Sequence, residues 1–243
     1  MKLGKFLEIS VGVIDIGQSL PFFERLGFEK LDQNWEPWPW AILTDGTITL
    51  NLSQQSGPSN PVLNYFSSDM KQRVEELKSA GLDVVAVQDR EIPEVVGGLE
   101  MPGGIEISLV EYSARRIPKL AGRPFSKCGS FGELAFPVED LGHSVACLEK
   151  VGFTKLRGDR LPYPWAAVSD GLVTLGLYQS EDLEMPALVY HCENLSERLD
   201  ALRQEGFETL QEMPSLAFGV GRFALVPPSA RLLLIMEYRP SSD

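Results

Sequence analysis

Two glutamates in matching surroundings are the residues of this chain best suited to chemistry. Glu8 and Glu133 lie in alternating, strand-like segments at positions 125 residues apart. In such a segment Glu8 faces away from aliphatic neighbours such as Leu7 and Ile9, and so points into a cleft. A carboxylate in an apolar cleft has a raised pKa and can act as a general acid or base. Both glutamates are therefore candidate catalytic residues, and a purely structural, hydrogen-bonded glutamate is the alternative at each position.

Two aromatic–proline motifs are the second candidate feature. Trp38-Pro39-Trp40 is matched by Tyr163-Pro164-Trp165, again 125 residues later. Proline fixes its own φ and keeps the preceding residue extended, so the neighbouring rings are held in place. Rings held in this way can stack on a planar ligand, whereas packing against a neighbouring module is the alternative. The candidate ligand-binding aromatic residues are Trp38, Trp40, Tyr163, Trp165 and Tyr178.

Strand alternation predicts two clefts of different character. Beside Glu8, the first cleft carries the polar side chains of Asn51, Asn64 and Ser108. The second is largely apolar and holds Glu133, Tyr178 and His191. Apolar walls with a few polar groups are typical of small-molecule sites. His191 can orient Glu133 or act as a base, and a solvent-facing strand histidine is the alternative.

These residues recur because the chain is a tandem duplication. The offset of 125 residues also relates Leu26-Gly27-Phe28 to Val151-Gly152-Phe153, and Asp45-Gly46 to Asp170-Gly171. Near the end the offset becomes 126, which indicates one inserted residue after Gly206. A constant offset over so long a span is hard to obtain by chance, so two copies of one domain are predicted.

Each copy itself contains two similar β-α-β-β-β modules. Helical stretches with good N-terminal caps and a closing glycine recur 54 residues apart within each copy, and alternating strand-like segments surround them. This pattern predicts an α+β fold in which each copy forms a curved mixed sheet around a cleft. The predicted domains are 1–114, with modules at about 5–55 and 60–113, and 128–240, with modules at about 130–180 and 186–239.

Composition excludes several classes of partner. The net charge of −12 disfavours nucleic acids and anionic membranes, which both require a basic surface. No apolar run approaches the ~20 residues that span a bilayer, and a charge interrupts what would be a signal peptide. The three cysteines show no CxxC spacing, so neither a disulfide framework nor a zinc knuckle is indicated. We expect a cytoplasmic protein.

The order of these elements resembles the vicinal oxygen chelate superfamily, which includes glyoxalase I, extradiol dioxygenases, and fosfomycin- and bleomycin-resistance proteins. Segments of the first copy carry the resemblance, and the second copy repeats most of them: Val11–Ile16 with Phe22-Phe23 and Leu26–Phe28, Leu43–Gly46, and Pro102–Gly104 leading into Ile107–Glu111. The resemblance covers nearly the whole chain. It implies two modules that close around one cleft in each copy.

The same resemblance implies four metal-ligand positions per copy, on strands that face the cleft. They fall on Glu8, Asn51, Val62 and Ser108 in the first copy, and on Glu133, Gly176, Ala187 and Leu234 in the second. Metal-dependent members place His, Glu or Gln at these positions, and here only the first glutamate is kept. Divalent ions need at least three good donors. We therefore expect no metal or other cofactor, although an atypical divalent site stays open.

Two functions from different classes follow. The first is metal-independent binding of a small planar or aromatic molecule, similar in kind to the drug-sequestering members of the superfamily. The second is a lyase, isomerase or dioxygenase-like enzyme that uses Glu8 or Glu133 as an acid, a base or part of an atypical metal site. A structural role is a third possibility. The expected partner is a small molecule, with no nucleic acid and no membrane, and a homodimer stays open.

Overall fold

The computed structural model describes residues 2–57, 59–85, 95–111, 120, 122–207, 211–213 and 222–238, with backbone alone for 211–213, 222, 233, 237 and 238. The first copy contains β1 (Lys5–Val13), α1 (Ile16–Arg25), β2 (Glu29–Asn34), β3 (Trp40–Thr44), β4 (Thr49–Gln54), β5 (Val62–Ser67), α2 (Met70–Ser79), β6 (Val95–Met101) and β7 (Ile105–Glu111). The predicted domain ends at residues 114 and 240 lie outside the described residues, as does much of the segment between the two predicted domains.

The second copy repeats this order of elements. It contains β8 (Ser130–Pro137), α3 (Leu141–Lys150), β9 (Thr154–Asp159), β10 (Trp165–Ser169), β11 (Thr174–Tyr178), β12 (Ala187–Cys192), α4 (Leu195–Gln204), β13 (Gln211–Met213), β14 (Arg222–Leu225) and β15 (Leu233–Tyr238). Within the described parts of the chain, no helix is long and apolar enough to cross a membrane.

Each copy forms one mixed sheet. The strand orders are β2-β3-β4-β1-β5-β7-β6 in the first copy and β13-β14-β15-β12-β8-β11-β10-β9 in the second. Within a copy the two modules meet where β1 pairs antiparallel with β5, and β8 with β12. The predicted α+β architecture of tandem, duplicated domains with mixed sheets is therefore confirmed.

The helices cover one face of each sheet, because the aliphatic positions of strands and helices share one core. Ile9, Val11 and Val13 of β1 pack in the same buried cluster as Phe23 of α1 and Leu77 of α2. The opposite face of each sheet carries the candidate site residues and is called the cleft face below.

A bulge near the start of the first strand of each copy sets which residues face the cleft. In β1 the register with β5 shifts between Phe6 and Glu8, so Phe6 pairs with Tyr65 on the helix side. Strict alternation had predicted Leu7 for that side, and this prediction is wrong because one extra residue is inserted there. The second copy has the equivalent bulge at Gly132, between Phe131 and Glu133.

The two copies contact each other through a reciprocal pair of hydrogen bonds. The Tyr65 hydroxyl donates to Asp170 Oδ2 at 2.7 Å, and the Tyr190 hydroxyl donates to Asp45 Oδ2 at 2.9 Å. Both tyrosines are fully buried. Burial, followed by the facing aspartate, raises the pKa of each tyrosine far above its ordinary value. The Asp-Gly repeats thus join the copies rather than line the clefts.

Candidate functional site

The first cleft is centred on Glu8, whose side chain is held by neighbouring amides. In the sheet, Glu8 lies opposite Asn64, and Ser10 lies beside Asn51. Asn51 Nδ2 donates to Glu8 Oε1 at 2.9 Å, and Asn64 Nδ2 donates to Ser10 Oγ at 2.7 Å. Only 3% of Glu8 is exposed. The structure therefore brings Glu8, Asn51 and Asn64 together on one face.

Beyond Asn64 the same face becomes acidic. Ser108 on β7 lies opposite Asn64, and two residues before it Glu106 lies opposite Glu100 of β6. Partial burial, followed by the charge of Glu100, raises the pKa of Glu106. Alternation along β7 predicts from the sequence that Glu106 shares the cleft face with Ser108, but Glu106 was not among the candidate site residues. Glu100 was not identified from the sequence.

The aromatic–proline motif of the first copy divides between the cleft and solvent. Trp40 lies on the cleft face of β3, opposite Ser53 of β4, and is half-buried. Trp38 is 54% exposed, and Trp35 is 50% exposed. Of these three tryptophans, Trp40 is the one that occupies a strand position on the same face as Asn51.

The second cleft is filled by its own side chains. A separate buried apolar cluster occupies its cleft face. Trp165 and Tyr178 are 4% and 6% exposed. Their rings stack at 6.3 Å with an interplanar angle of 14°, and Tyr163 meets Tyr178 edge-on at 6.5 Å. The structure thus brings the three predicted aromatic residues together, packed against one another.

Glu133 lies under this aromatic cluster and is 2% exposed. Its Oε1 accepts a hydrogen bond from the Tyr178 hydroxyl. Arg157 Nη2 lies 3.9 Å from Glu133 Oε2, and its guanidinium lies 5.8 Å from the centre of the Trp165 ring. Sequence reasoning missed Arg157. Its position in β9 opposite Ala167, a cleft-face residue, depends on a register that only the folded sheet provides.

His191 packs against the bulge at Gly132. A Cβ atom at Gly132 would lie 2.3 Å from His191 Cε1, so the glycine leaves the room that the imidazole occupies. His191 is half-buried and lies opposite Ser130 in the register of β12 with β8. The His191 ring thus lies beside Gly132, which is one residue before Glu133 in β8.

The register corrects one of the predicted metal-ligand positions. Leu234 lies beside Leu188 and belongs to the helix-side core. Ile235 takes the predicted place on the cleft face, beside Val189. The offset of 126 residues had implied Leu234, but β15 is displaced by one further residue, which moves the other set of side chains to the cleft.

Among the residues that the structure describes, the donor set of neither cleft suits the metal that the resemblance implies. In the second copy Gly176, Val189 and Ile235 face the cleft near Glu133 and supply no donor side chains, and a guanidinium lies beside the carboxylate. In the first, Glu8 is accompanied by two amides and a hydroxyl. The described residues contain no group of three or more His, Cys, Asp or Glu side chains that could hold a metal ion. A transition metal prefers a stronger set.

A separate groove of about 550 Å³ lies on the helix side of the second copy. It is lined by residues along α4 from Leu195 to Arg203 and by Phe223, and its polar groups include Glu193, Glu197 and Asp200. Phe223 packs against the helix-side core, so this groove is distinct from the clefts and contains none of the candidate residues.

The chain matches no protein-family model and, by sequence, no curated protein. Its fold resembles many solved structures. A catechol 2,3-dioxygenase matches over 100% of this chain and 90% of its own, with 16% identity and a TM-score of 0.60. Homoprotocatechuate 2,3-dioxygenase from Arthrobacter globiformis matches over 98% and 80%, with 13% identity and a TM-score of 0.69.

A third dioxygenase gives the same result. The 2,3-dioxygenase from Pseudomonas sp. KL28 matches over 98% of this chain and 92% of its own, with 11% identity and a TM-score of 0.64. Likeness at such low identity concerns the fold alone. The chain therefore has the tandem two-domain fold of the extradiol dioxygenases. This is the fold that we predicted from the order of elements in the sequence and from its resemblance to the vicinal oxygen chelate superfamily.

Proposed function

We propose that the protein binds a small planar molecule in the cleft of its first copy, without a metal ion. One observation carries this proposal, namely that equivalent positions are more open in the first cleft than in the second. Trp40 and Ser53 are half-buried, whereas their counterparts Trp165 and Tyr178 are buried. Asn51 is likewise half-buried and Gly176 buried. Among the described residues, side chains thus fill the second cleft more completely than the first.

The walls of the first cleft also have the composition of a binding site. Trp40 and Val62 provide apolar surface, and Asn51, Asn64 and Glu8 provide polar groups on rigid strands. Apolar walls with a few fixed polar groups are the usual features of small-molecule sites. Binding without a metal is supported by the weak donor set around Glu8.

The proposal is tested by a thermal-shift screen of planar aromatic compounds in the presence of EDTA, followed by titration calorimetry of the hits. A specific ligand at about 100 times its Kd should stabilise the protein by about 2.7 kcal/mol through mass action. The variant Asn64→Val introduces the residue of the second cleft, Val189, into the first. It should weaken binding by about tenfold, since one polar contact is lost.

The control is Glu181→Gln, which changes an exposed residue after β11 and should bind like the wild type. Failure of every compound to raise the melting temperature contradicts the proposal. A compound that raises the melting temperature only when EDTA is left out contradicts its metal-independent part.

One observation favours an enzyme as the second candidate. Glu8 is a nearly buried carboxylate that faces the cleft and accepts a hydrogen bond from Asn51, as a general acid or base would. If this candidate is right, NMR spectra of the hits should change over hours in the presence of protein. Glu8→Gln should abolish the conversion and retain binding. Unchanged spectra would contradict the enzyme candidate and leave ligand binding as the only supported function.

A further inference from the structure

A histidine and a cysteine lie side by side on the outer face of α3, away from both clefts. Cys147 Sγ lies 3.8 Å from His143 Nε2, and this contact is open to solvent. The two residues are four positions apart, so their side chains meet on one face of the helix. His143 is exposed and Cys147 is half-buried. Both side chains can therefore be reached from outside the protein.

The duplication shows that this pair belongs to the second copy alone. The counterparts 125 residues earlier, in α1, are Gln18 and Phe22. Phe22 is 9% exposed, and its ring meets that of Phe207 edge-on at 5.6 Å. The first copy thus uses the position for apolar packing, whereas the second places a thiol there beside an imidazole. The repeated fold therefore does not itself require the histidine–cysteine pair.

The separation of the two atoms suits a zinc ion. Zinc binds thiolate sulfur at about 2.3 Å and imidazole nitrogen at about 2.0–2.1 Å, so two such ligands of a tetrahedral ion are about 3.6 Å apart. Cys147 Sγ and His143 Nε2 are 3.8 Å apart. A linear, two-coordinate ion with the same bond lengths would require about 4.3–4.4 Å. The pair is therefore arranged as two corners of a tetrahedral site.

One chain supplies half of a closed zinc site. Structural zinc sites have four protein ligands, and two cysteines with two histidines form one of the usual sets. Within the described ranges, no group of three or more His, Cys, Asp or Glu side chains forms around this pair. A second copy of the chain, with its own histidine and cysteine, supplies the number and kind of ligands that zinc requires.

The surface beside the pair allows another helix to approach. Gly142 and Ala146 directly precede the two ligands, and both are exposed. Small side chains at a contact permit a short distance between helix axes. Each chain has a net charge of −12, which opposes the association of two copies unless a cation joins them. Association through this face should therefore depend on the metal.

We propose that α3 forms a zinc-dependent interface between two copies of the chain, in which His143 and Cys147 of each copy bind one shared zinc ion. Each thiol loses its proton to solvent when its sulfur binds the metal. The two thiolates then balance the charge of the ion. This interface is independent of ligand binding in the first cleft.

Sedimentation velocity of the full chain in EDTA and in a small excess of zinc chloride tests the interface. Zinc should double the mass measured in EDTA and lower the dissociation constant of two copies by about a hundredfold or more. Elemental analysis should find one zinc per two chains that Cys147→Ser lacks. A mass that zinc leaves unchanged, or one zinc bound per monomer, would overturn the proposal.

Cobalt(II) in place of zinc reports whether a thiolate binds the metal. The wild type should develop a thiolate-to-cobalt charge-transfer band in the near ultraviolet, and Cys147→Ser should lose both this band and the zinc-dependent dimer. His143→Gln introduces the residue of the first copy and should weaken the dimer by about tenfold or more. Glu149→Gln changes an exposed residue of the same helix and should match the wild type.

A further variant tests whether the helices themselves approach. Ala146→Arg places a long, charged side chain on the exposed face and should abolish the zinc-dependent dimer without removing either ligand. Circular dichroism and melting temperature in EDTA check that each variant is folded. A zinc-dependent dimer that persists undiminished in Cys147→Ser or in Ala146→Arg would contradict the proposed interface.

Discussion

Glu8 and Glu133 lie at the same position of the two copies and differ in the groups that hold them. Glu8 accepts from the amide of Asn51, whereas Glu133 accepts from the phenol of Tyr178 and lies near Arg157. Alternation and the repeat predicted that both glutamates face a cleft. The partners of the two glutamates were not predictable from the sequence. Asn51 and Tyr178 do not occupy equivalent positions of β4 and β11, and the longer tyrosine reaches Glu133 from two positions further along its strand.

At this scale we predict that Tyr178→Phe destabilises the protein. The substitution removes the hydroxyl that donates to Glu133 and leaves a buried carboxylate with one bond fewer. The free energy of unfolding should fall by about 1–3 kcal/mol, as measured by urea denaturation at pH 7. Ser53→Ala, at the equivalent position of the first copy, is the control and should change it by less than about 0.5 kcal/mol. An equal effect of both variants would contradict the prediction.

Equivalent turns acquire different surroundings once the elements pack. The turns after β3 and β10 both contain Asp-Gly, and both glycines have positive φ, +90° at Gly46 and +86° at Gly171. The described part of the segment between the copies lies against the first turn. Gly122 N donates to Gly46 O, and Phe125 N donates to Asp45 O. The repeat predicted that the two turns are alike, but their packing partners belong to a segment that occurs once in the chain.

The glycines of these turns therefore provide a matched test at the scale of elements. A Cβ at Gly46 would lie 2.2 Å from the carbonyl oxygen of Arg123, whereas Gly171 has no atom within 4 Å of its Cβ position. Gly171→Ala should cost about 1 kcal/mol through its left-handed backbone alone. Gly46→Ala should cost about 3 kcal/mol, because overpacking adds to that strain. Thermal or urea unfolding measures the loss of stability in each variant. Similar losses would contradict the prediction, because they would show that the segment around Arg123 moves aside at no energetic cost.

The whole molecule is joined by the reciprocal tyrosine–aspartate pairs. Tyr65 on β5 of the first copy donates to Asp170 in the Asp-Gly turn of the second copy. Tyr190 on the equivalent strand β12 donates to Asp45 in the Asp-Gly turn of the first copy. Because each copy supplies one tyrosine and one aspartate, the association has approximate twofold symmetry. Neither the tyrosines nor this use of the aspartates was identified in the sequence, since the contacts span 105 and 145 residues.

These pairs predict a loss of stability in alkali. The folded-state pKa of both tyrosines is raised, so the unfolded chain loses their protons first, at pH values near 10. Their contribution is therefore fully present below about pH 10 and falls above it, by up to ~1.4 kcal/mol per pH unit for each tyrosine. Urea midpoints of the wild type should fall more steeply from pH 9.5 to 11 than those of the double variant Tyr65→Phe, Tyr190→Phe. Parallel curves would exclude this coupling.

The sequence alone determined the duplication, the order of elements and most of the residues that face the clefts, because a period of two along a strand and a constant offset between copies can be read from the sequence. The tertiary structure decided the rest. Bulges moved Phe6 to the helix side, a further displacement of one residue moved Ile235 rather than Leu234 into the second cleft, and a register between β9 and β10 placed Arg157 beside Glu133. Register is fixed by the packing of distant strands, so neither the contents of a cleft nor its openness can be read from one strand at a time.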